Sequence, residues 1–179
     1  MIIFKNFLSD KLFNSLDKLI SSISIDKLED IFDMSYEKKS TEVFECIPLR
    51  LHEKSFITYK AFFVERSILD EFRKNLSQNL DQYKSNTITF QICIWDQESY
   101  LTMHYDKIYK YGGTLYLNKN WEESWGGLFE YETKCGKSFS ICPQKNLFIF
   151  NDCNEKHQVT PISIDANEKR KSIQVWMVD

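Results

Sequence analysis

The sequence predicts an α+β fold whose second half is mostly antiparallel β. Three observations lead there. Apolar residues recur at helical spacing in two stretches of the first half, Leu12 to Ile23 and Ile68 to Tyr83. From Thr87 onward the period shortens and β-branched and aromatic residues take over. All five glycines, Gly112, Gly113, Gly126, Gly127 and Gly136, fall in that second half, where turns must reverse short strands.

Taken in order, Ile2-Ile3-Phe4 is a short apolar run fit for a first strand. Ser9-Asp10 can cap a helix, and Leu12, Phe13, Leu16, Leu19, Ile20 and Ile23 give that helix one apolar face. Residues 24–39 are polar and irregular, with a short helical turn expected near Leu28 to Phe32. Val43, Glu45 and Ile47 alternate towards Pro48 as a strand would, and Phe56 to Val64 can hold another. A second amphipathic helix opens at Ser67, with Ile68, Leu69, Phe72, Leu76, Leu80 and Tyr83 on one stripe. Thr87 to Trp95 then reads as a buried strand, followed by strands near 100–105, 113–118, 127–132, 138–141, 146–150, 157–162 and 171–178. No internal repeat, low-complexity run or linker interrupts the chain. It is therefore expected to be one domain over 1–179, with 1–86 supplying helical support and outer strands and 87–179 the β core.

Composition narrows the classes. A chain of 179 residues is long enough for a real core. Its net charge of −3 and lack of a basic block argue against a nucleic-acid face. No stretch is long and apolar enough to span a membrane, and Met1 to Lys5 does not open a signal peptide, so a cytoplasmic place without membrane attachment is expected. Cys46, Cys93, Cys135, Cys142 and Cys153 are odd in number and lack C-x-x-C spacing, which favours reduced thiols over disulfides or a zinc site.

The chemistry concentrates in Leu101-Thr-Met-His104-Tyr105-Asp106. His104 and Asp106 are two apart, which puts both side chains on one face of an extended segment. The chain has three histidines, His52, His104 and His157, and His157 lies well downstream, shortly before Arg170, Ser172 and a last apolar strand. Two imidazoles and a carboxylate on one face of a metal leave the other positions open, the donor set of non-haem Fe(II) oxygenases. A lone H-x-D is more often a surface or satisfied histidine; the constellation with His157 and Arg170 is what raises it.

In these residues the chain resembles the iron(II)/2-oxoglutarate dioxygenases, in the branch that holds the prolyl hydroxylases. The match runs from about Thr87 to Asp179, and its most telling block is Tyr116-Leu-Asn-Lys-Asn-Trp121 followed by Gly126-Gly127-Leu-Phe129, similar to a Y-L-N-K-x-W and G-G run of oxygen-sensing prolyl hydroxylases. The resemblance implies a jelly roll, that is a double-stranded β-helix, supported by two or three N-terminal helices. It implies His104, Asp106 and His157 as ligands of Fe(II) and as the catalytic set, with 2-oxoglutarate as cosubstrate, O2 as oxidant and ascorbate in a supporting role. Arg170 is expected to clamp the distal carboxylate of 2-oxoglutarate, with Lys169 its rival if the register slips by one. Tyr116 is the expected second contact to that carboxylate, Ser172 is expected to face inward beside Arg170, and Trp176 to line the iron pocket, while Trp121 is expected to be structural.

Two features depart from the family pattern. Trp95 stands near a position where relatives carry a tyrosine, and the loop Trp95 to Tyr100 has no glycine. The segment between His157 and Arg170 is longer by a few residues around Asp165-Ala-Asn-Glu168. The expected activity is hydroxylation of a C–H bond, with release of succinate and CO2. The expected substrate is a prolyl residue of a peptide or protein. Two alternatives stand beside it: a hydroxylase of a free amino acid or other small molecule, and a jelly-roll module that binds metal without turnover. Phe62, Phe63, Trp95 and Tyr100 favour a peptide at the mouth of the site, and Glu65, Arg66, Asp96 and Glu98 favour the free amino acid.

Overall fold

The computed structural model describes residues 1–22, 58–59, 66–80, 87–106, 109–151 and 155–178. The expected strand at Val43 to Ile47, the turn at Leu28 to Phe32, His52 and the side chains of Phe62 and Phe63 lie outside them. Ten strands and two α-helices are present among the described residues. Six strands form one antiparallel sheet in the order β1 (Ile2–Lys5), β8 (Leu147–Asn151), β5 (Tyr111–Tyr116), β10 (Arg170–Val178), β3 (Thr87–Trp95), β2 (Thr58–Tyr59). Four form the other: β4 (Leu101–His104), β9 (Lys156–Val159), β6 (Phe129–Glu132), β7 (Ser138–Ile141). Two antiparallel sheets packed face to face, with helices on one outer surface, make a jelly roll of the α+β class.

The helices α1 (Asp10–Ser22) and α2 (Arg66–Asn79) cover the outside of the larger sheet. Ser9 starts α1 as expected: its carbonyl accepts from Phe13 N–H at 2.9 Å and its hydroxyl lies 3.4 Å from Leu12 N. The Glu71 carboxylate of α2 accepts from the Ser9 amide and hydroxyl, so one helix helps cap the other. Phe13, Leu16 and Ile20 of α1 and Phe72 and Leu76 of α2 bury themselves against Leu115, Phe148, Ile173, Val175 and Met177 of the sheet. Phe7, Phe72 and Phe148 form the centre of this core, with ring centroids 4.4–5.5 Å apart.

Period-2 alternation divides β10 between two environments. Ile173, Val175 and Met177 face the helices. Arg170 and Ser172, which are buried, alternate with them, as do Gln174 and Trp176, and so face the space between the sheets. That space also holds Tyr116, Leu147 and Ile149 from the large sheet and Phe129 from the small one.

Several boundaries differ from the sequence reading. Gly112 and Gly113 do not turn; they lie inside β5, paired with Trp176 and Val175 on one side and with Asn151 and Phe150 on the other. The reason is close packing: a Cβ on Gly113 would sit 2.3 Å from the Phe148 ring. Gly126, Gly127 and Gly136 do occupy turns, with φ of 66°, 61° and 77°. β9 stops at Val159 rather than running to 162, because Ile162 leaves the sheet edge to exchange backbone hydrogen bonds with the loop after β3 (Ile162 N to Ser99 O, Glu98 N to Ile162 O). α2 ends at Asn79, short of Tyr83, with Leu80 N still donating to Leu76 O; residues 81–86 are outside the described set.

Candidate metal and cosubstrate site

β4 and β9 are antiparallel neighbours, and His104 lies directly opposite His157 in their register. A register shift between Leu101 and His104 adjusts the end of β4. Asp106 follows two residues later, past the strand end, while Tyr105 between them points out and is exposed. The ligating atoms of His104, Asp106 and His157 all lie within 4.8 Å of one another. His104 Nε2 is 3.4 Å from Asp106 Oδ1, and His157 Nε2 is 3.1 Å from Asp106 Oδ2.

Both imidazoles are oriented the same way. His104 Nδ1 lies 2.7 Å from Thr102 O, and His157 Nδ1 lies 2.9 Å from Glu155 O. A carbonyl can only accept, so each Nδ1 is a donor, and each Nε2 faces the common centre, where it can give its lone pair to a metal that displaces any proton held there. The Phe129 ring stacks on His157 at 5.2 Å and 20°, holding that ring in plane. Burial pushes the Asp106 carboxyl up, but the His104 and His157 imidazoles outweigh it and hold it at about 2. Burial pushes His104 down; the Asp106 carboxylate and the Thr102 carbonyl outweigh that and leave it raised.

These donors fit a divalent metal. Two atoms each about 2.1 Å from a metal and at right angles are about 3 Å apart, close to the 3.4 and 3.1 Å that separate the two imidazoles from the Asp106 oxygens. Asp106 Oδ2 is also buried, with the His157 imidazole 3.1 Å away as its polar neighbour, a place a metal would complete. Among the described residues this is the one such cluster of histidine, cysteine and carboxylate groups.

The second half of the site is built around Arg170, the first residue of β10 and only 1% exposed. Its Nε donates to Gly127 O at 2.8 Å. Its terminal nitrogens make longer contacts, 3.5 Å to Ser172 Oγ and 3.4 Å to Tyr116 Oη. The guanidinium carbon lies 5.0 Å from the Trp95 ring centroid and 5.0 Å from that of Tyr116. None of the described carboxylates pairs with it. Burial alone lowers its affinity for the proton, and burial also pushes the Tyr116 hydroxyl and the neighbouring Cys93 thiol up to about 12 each.

Lys169, the rival to Arg170, is elsewhere: its ammonium pairs with Asp96 at 2.6 Å near the surface. Trp176 is on the interior face of β10 but is occupied in stacking on Tyr109 at 4.4 Å. Trp121 is buried, donates to Gly126 O at 2.9 Å and packs edge-on to Trp125. Three contributors escaped the sequence reading: the Gly127 carbonyl, the Phe129 ring and the Cys93 thiol. A backbone acceptor leaves no trace in residue types; the spacing Gly126-Gly127-Leu-Phe129 was the available signal for the Phe129 ring, and Cys93 reads in sequence only as one buried residue of β3.

Comparison with known proteins places this geometry. No curated protein sequence matches the chain. Two solved structures share the fold along nearly its whole length. A Pseudomonas putida prolyl-4-hydroxylase superposes with a TM-score of 0.70 at 14% identity, over 99% of this chain and 92% of that one. A Trichoplax adhaerens prolyl hydroxylase, solved with a peptide of the hypoxia inducible factor oxygen degradation domain, superposes with 0.64 at 18% identity, over 99% and 83%. Residues 90–178, which hold the triad, Tyr116 and Arg170, match the family described as the 2OG-Fe(II) oxygenase superfamily, and that family implies Fe(II), 2-oxoglutarate and O2. With its paired sheets, His-Asp-His cluster and buried arginine, the chain carries a 2OG-Fe(II) oxygenase superfamily domain over residues 90–178.

Proposed function

We propose that this protein hydroxylates a prolyl residue of a peptide or protein, using His104, Asp106 and His157 to hold Fe(II) and Arg170 with Tyr116 to hold 2-oxoglutarate. The observation that carries the reading is the buried guanidinium of Arg170, which has no acid beside it among the described residues. A desolvated cation without a counter-charge is costly and calls for an anion from outside. The distal carboxylate of 2-oxoglutarate is such an anion, and a guanidinium can receive it with two parallel hydrogen bonds. Iron bound with 2-oxoglutarate and O2 supplies the oxidising power that puts oxygen into a C–H bond, with succinate and CO2 as by-products.

The chain's own residues do the rest. The Thr102 and Glu155 carbonyls fix both imidazoles with Nε2 inward. Asp106, held as a carboxylate, neutralises part of the metal charge. Phe129 stacks on His157 and packs in the same cluster as Tyr116, so the metal ligands and the anion clamp share one dry wall. Tyr116 keeps its proton, so its hydroxyl can donate to a carboxylate.

A peptide is favoured over a free amino acid because Asp96, one of the charges that could hold an ammonium, is already paired with Lys169. The prolyl hydroxylases that share the fold support the same choice. The non-catalytic alternative would need Arg170 or Tyr116 turned away; both are in contact inside the barrel. The test is anaerobic loading with Fe(II), then 2-oxoglutarate consumption in air against proline-containing peptides and free L-proline. Peptide-stimulated turnover is expected. Stimulation by L-proline with none from peptides would move the substrate to the free amino acid.

A further inference from the structure

The two departures from the family pattern meet at one place. Trp95 ends β3 directly opposite Arg170 at the start of β10. The extra residues before Arg170 fold back onto the loop that follows Trp95: Gln97 Nε2 donates to Ala166 O at 2.8 Å, and Lys169 pairs with Asp96. Ile162 and Ala166 from that segment join Trp95, Cys93, Trp121 and Trp125 in one buried apolar cluster. The result is a wall that sets the Trp95 ring against the guanidinium, whose carbon lies 5.0 Å from the Trp95 and from the Tyr116 ring centroid.

We propose that Trp95 is a positioning residue of the cosubstrate site: with Tyr116 it flanks the Arg170 guanidinium with an aromatic ring, stabilising the buried cation without neutralising it and aiming its remaining N–H groups at the distal carboxylate of the cosubstrate. This rests on the assignment of Arg170 as the carboxylate clamp. An acid would also stabilise the buried cation, but it would compete with the ligand for the same donors. A ring offers attraction through its face and accepts none of the in-plane N–H bonds. The fork is further fixed at its base, where Nε is committed to Gly127 O. A side chain on Gly127 would meet Arg170 Cδ at 3.0 Å, so the turn itself is shaped around the arginine.

The experiment reads a ratio. The protein is loaded anaerobically with Mn(II) in place of Fe(II), and binding of 2-oxoglutarate and of 2-oxopentanoate, which lacks the distal carboxylate, is measured by calorimetry. The ratio of their dissociation constants reports the clamp and does not depend on the fraction of protein folded. Trp95→Leu is expected to lower that ratio by roughly tenfold, and Trp95→Phe, which restores a ring face, to recover most of it. Mn(II) affinity is expected to be unchanged in both. If Trp95→Leu does not fold, Trp95→Met, unbranched and able to fill an irregular gap, carries the same expectation. A ringless variant that keeps the wild-type ratio, or a Phe variant no better than the ringless one, overturns the proposal. A wild-type ratio near one, or one that Arg170→Gln leaves intact, instead overturns the assignment of Arg170 as the clamp.

Discussion

Arg170 and Lys169 are neighbours in sequence and opposites in environment. One is enclosed and lacks an acid partner among the described residues; the other lies at the surface against Asp96. Arg170→Ala is therefore expected to raise the 2-oxoglutarate requirement by about 2–5 kcal/mol in binding terms. Lys169→Ala should leave it unchanged, and equal effects from the two in steady-state titrations would contradict the assignment. The triad gives a second expectation. Loss of a group that merely orients a metal ligand costs roughly 10–100-fold in affinity, so His104→Ala, Asp106→Ala and His157→Ala should each cost more. Anaerobic Fe(II) titration, with circular dichroism to verify the fold, checks this; a variant that binds iron like wild type removes its residue from the site. The thiols offer a third. Burial pushes Cys93 up to about 12, whereas the Thr133 hydroxyl beside exposed Cys135 pulls that thiol below its ordinary value. Since the thiolate is the nucleophile, brief iodoacetamide treatment of the native protein should modify Cys135 and spare Cys93 until denaturant is added. Peptide mapping that finds the two equally modified would refute it.

At the scale of elements, the strands β3, β7 and β10 and the helix start at Ser9 were legible because local pattern decides them: alternation, β-branching and a capping hydroxyl. The His104–Asp106 pair was legible for the same reason, since the two are close in sequence, whereas His157 joins them only through the pairing of β4 with β9. What was hidden depends on partners far along the chain. Gly113 reads as a turn residue until Phe148 is seen against it. Whether Lys169 or Arg170 turned inward depended on where β10 begins, and a basic triplet carries no alternation to say so. Gly113→Ala tests the packing explanation. The Phe148 ring is wedged between Phe7 and Phe72 and cannot easily retreat, so overpacking should cost about 1–3 kcal/mol. That cost would show as a lower midpoint in chemical denaturation without a change in Fe(II) affinity. An unchanged midpoint would mean the ring moves freely.

Across the whole molecule, the helices, the larger sheet and the space between sheets are separate layers with separate tasks, and β10 belongs to all of them. Its odd residues Ile173, Val175 and Met177 are among the sheet's contacts with the helices, while Arg170, Ser172, Gln174 and Trp176 look the other way. Gln174 is tied by the Thr114 hydroxyl at 2.7 Å, and Trp176 by Tyr109. A one-residue slip of this strand would exchange the layers completely, placing a guanidinium among phenylalanines and leucines. Registration is therefore held on both sides, by nine paired positions with β3 and six with β5. The same two-sidedness makes β10 a natural ruler for redesign. Exchanging its even positions rewrites what the cavity can accept, exchanging its odd positions adjusts how firmly the helices cling, and a designer can turn either dial while leaving the other at rest.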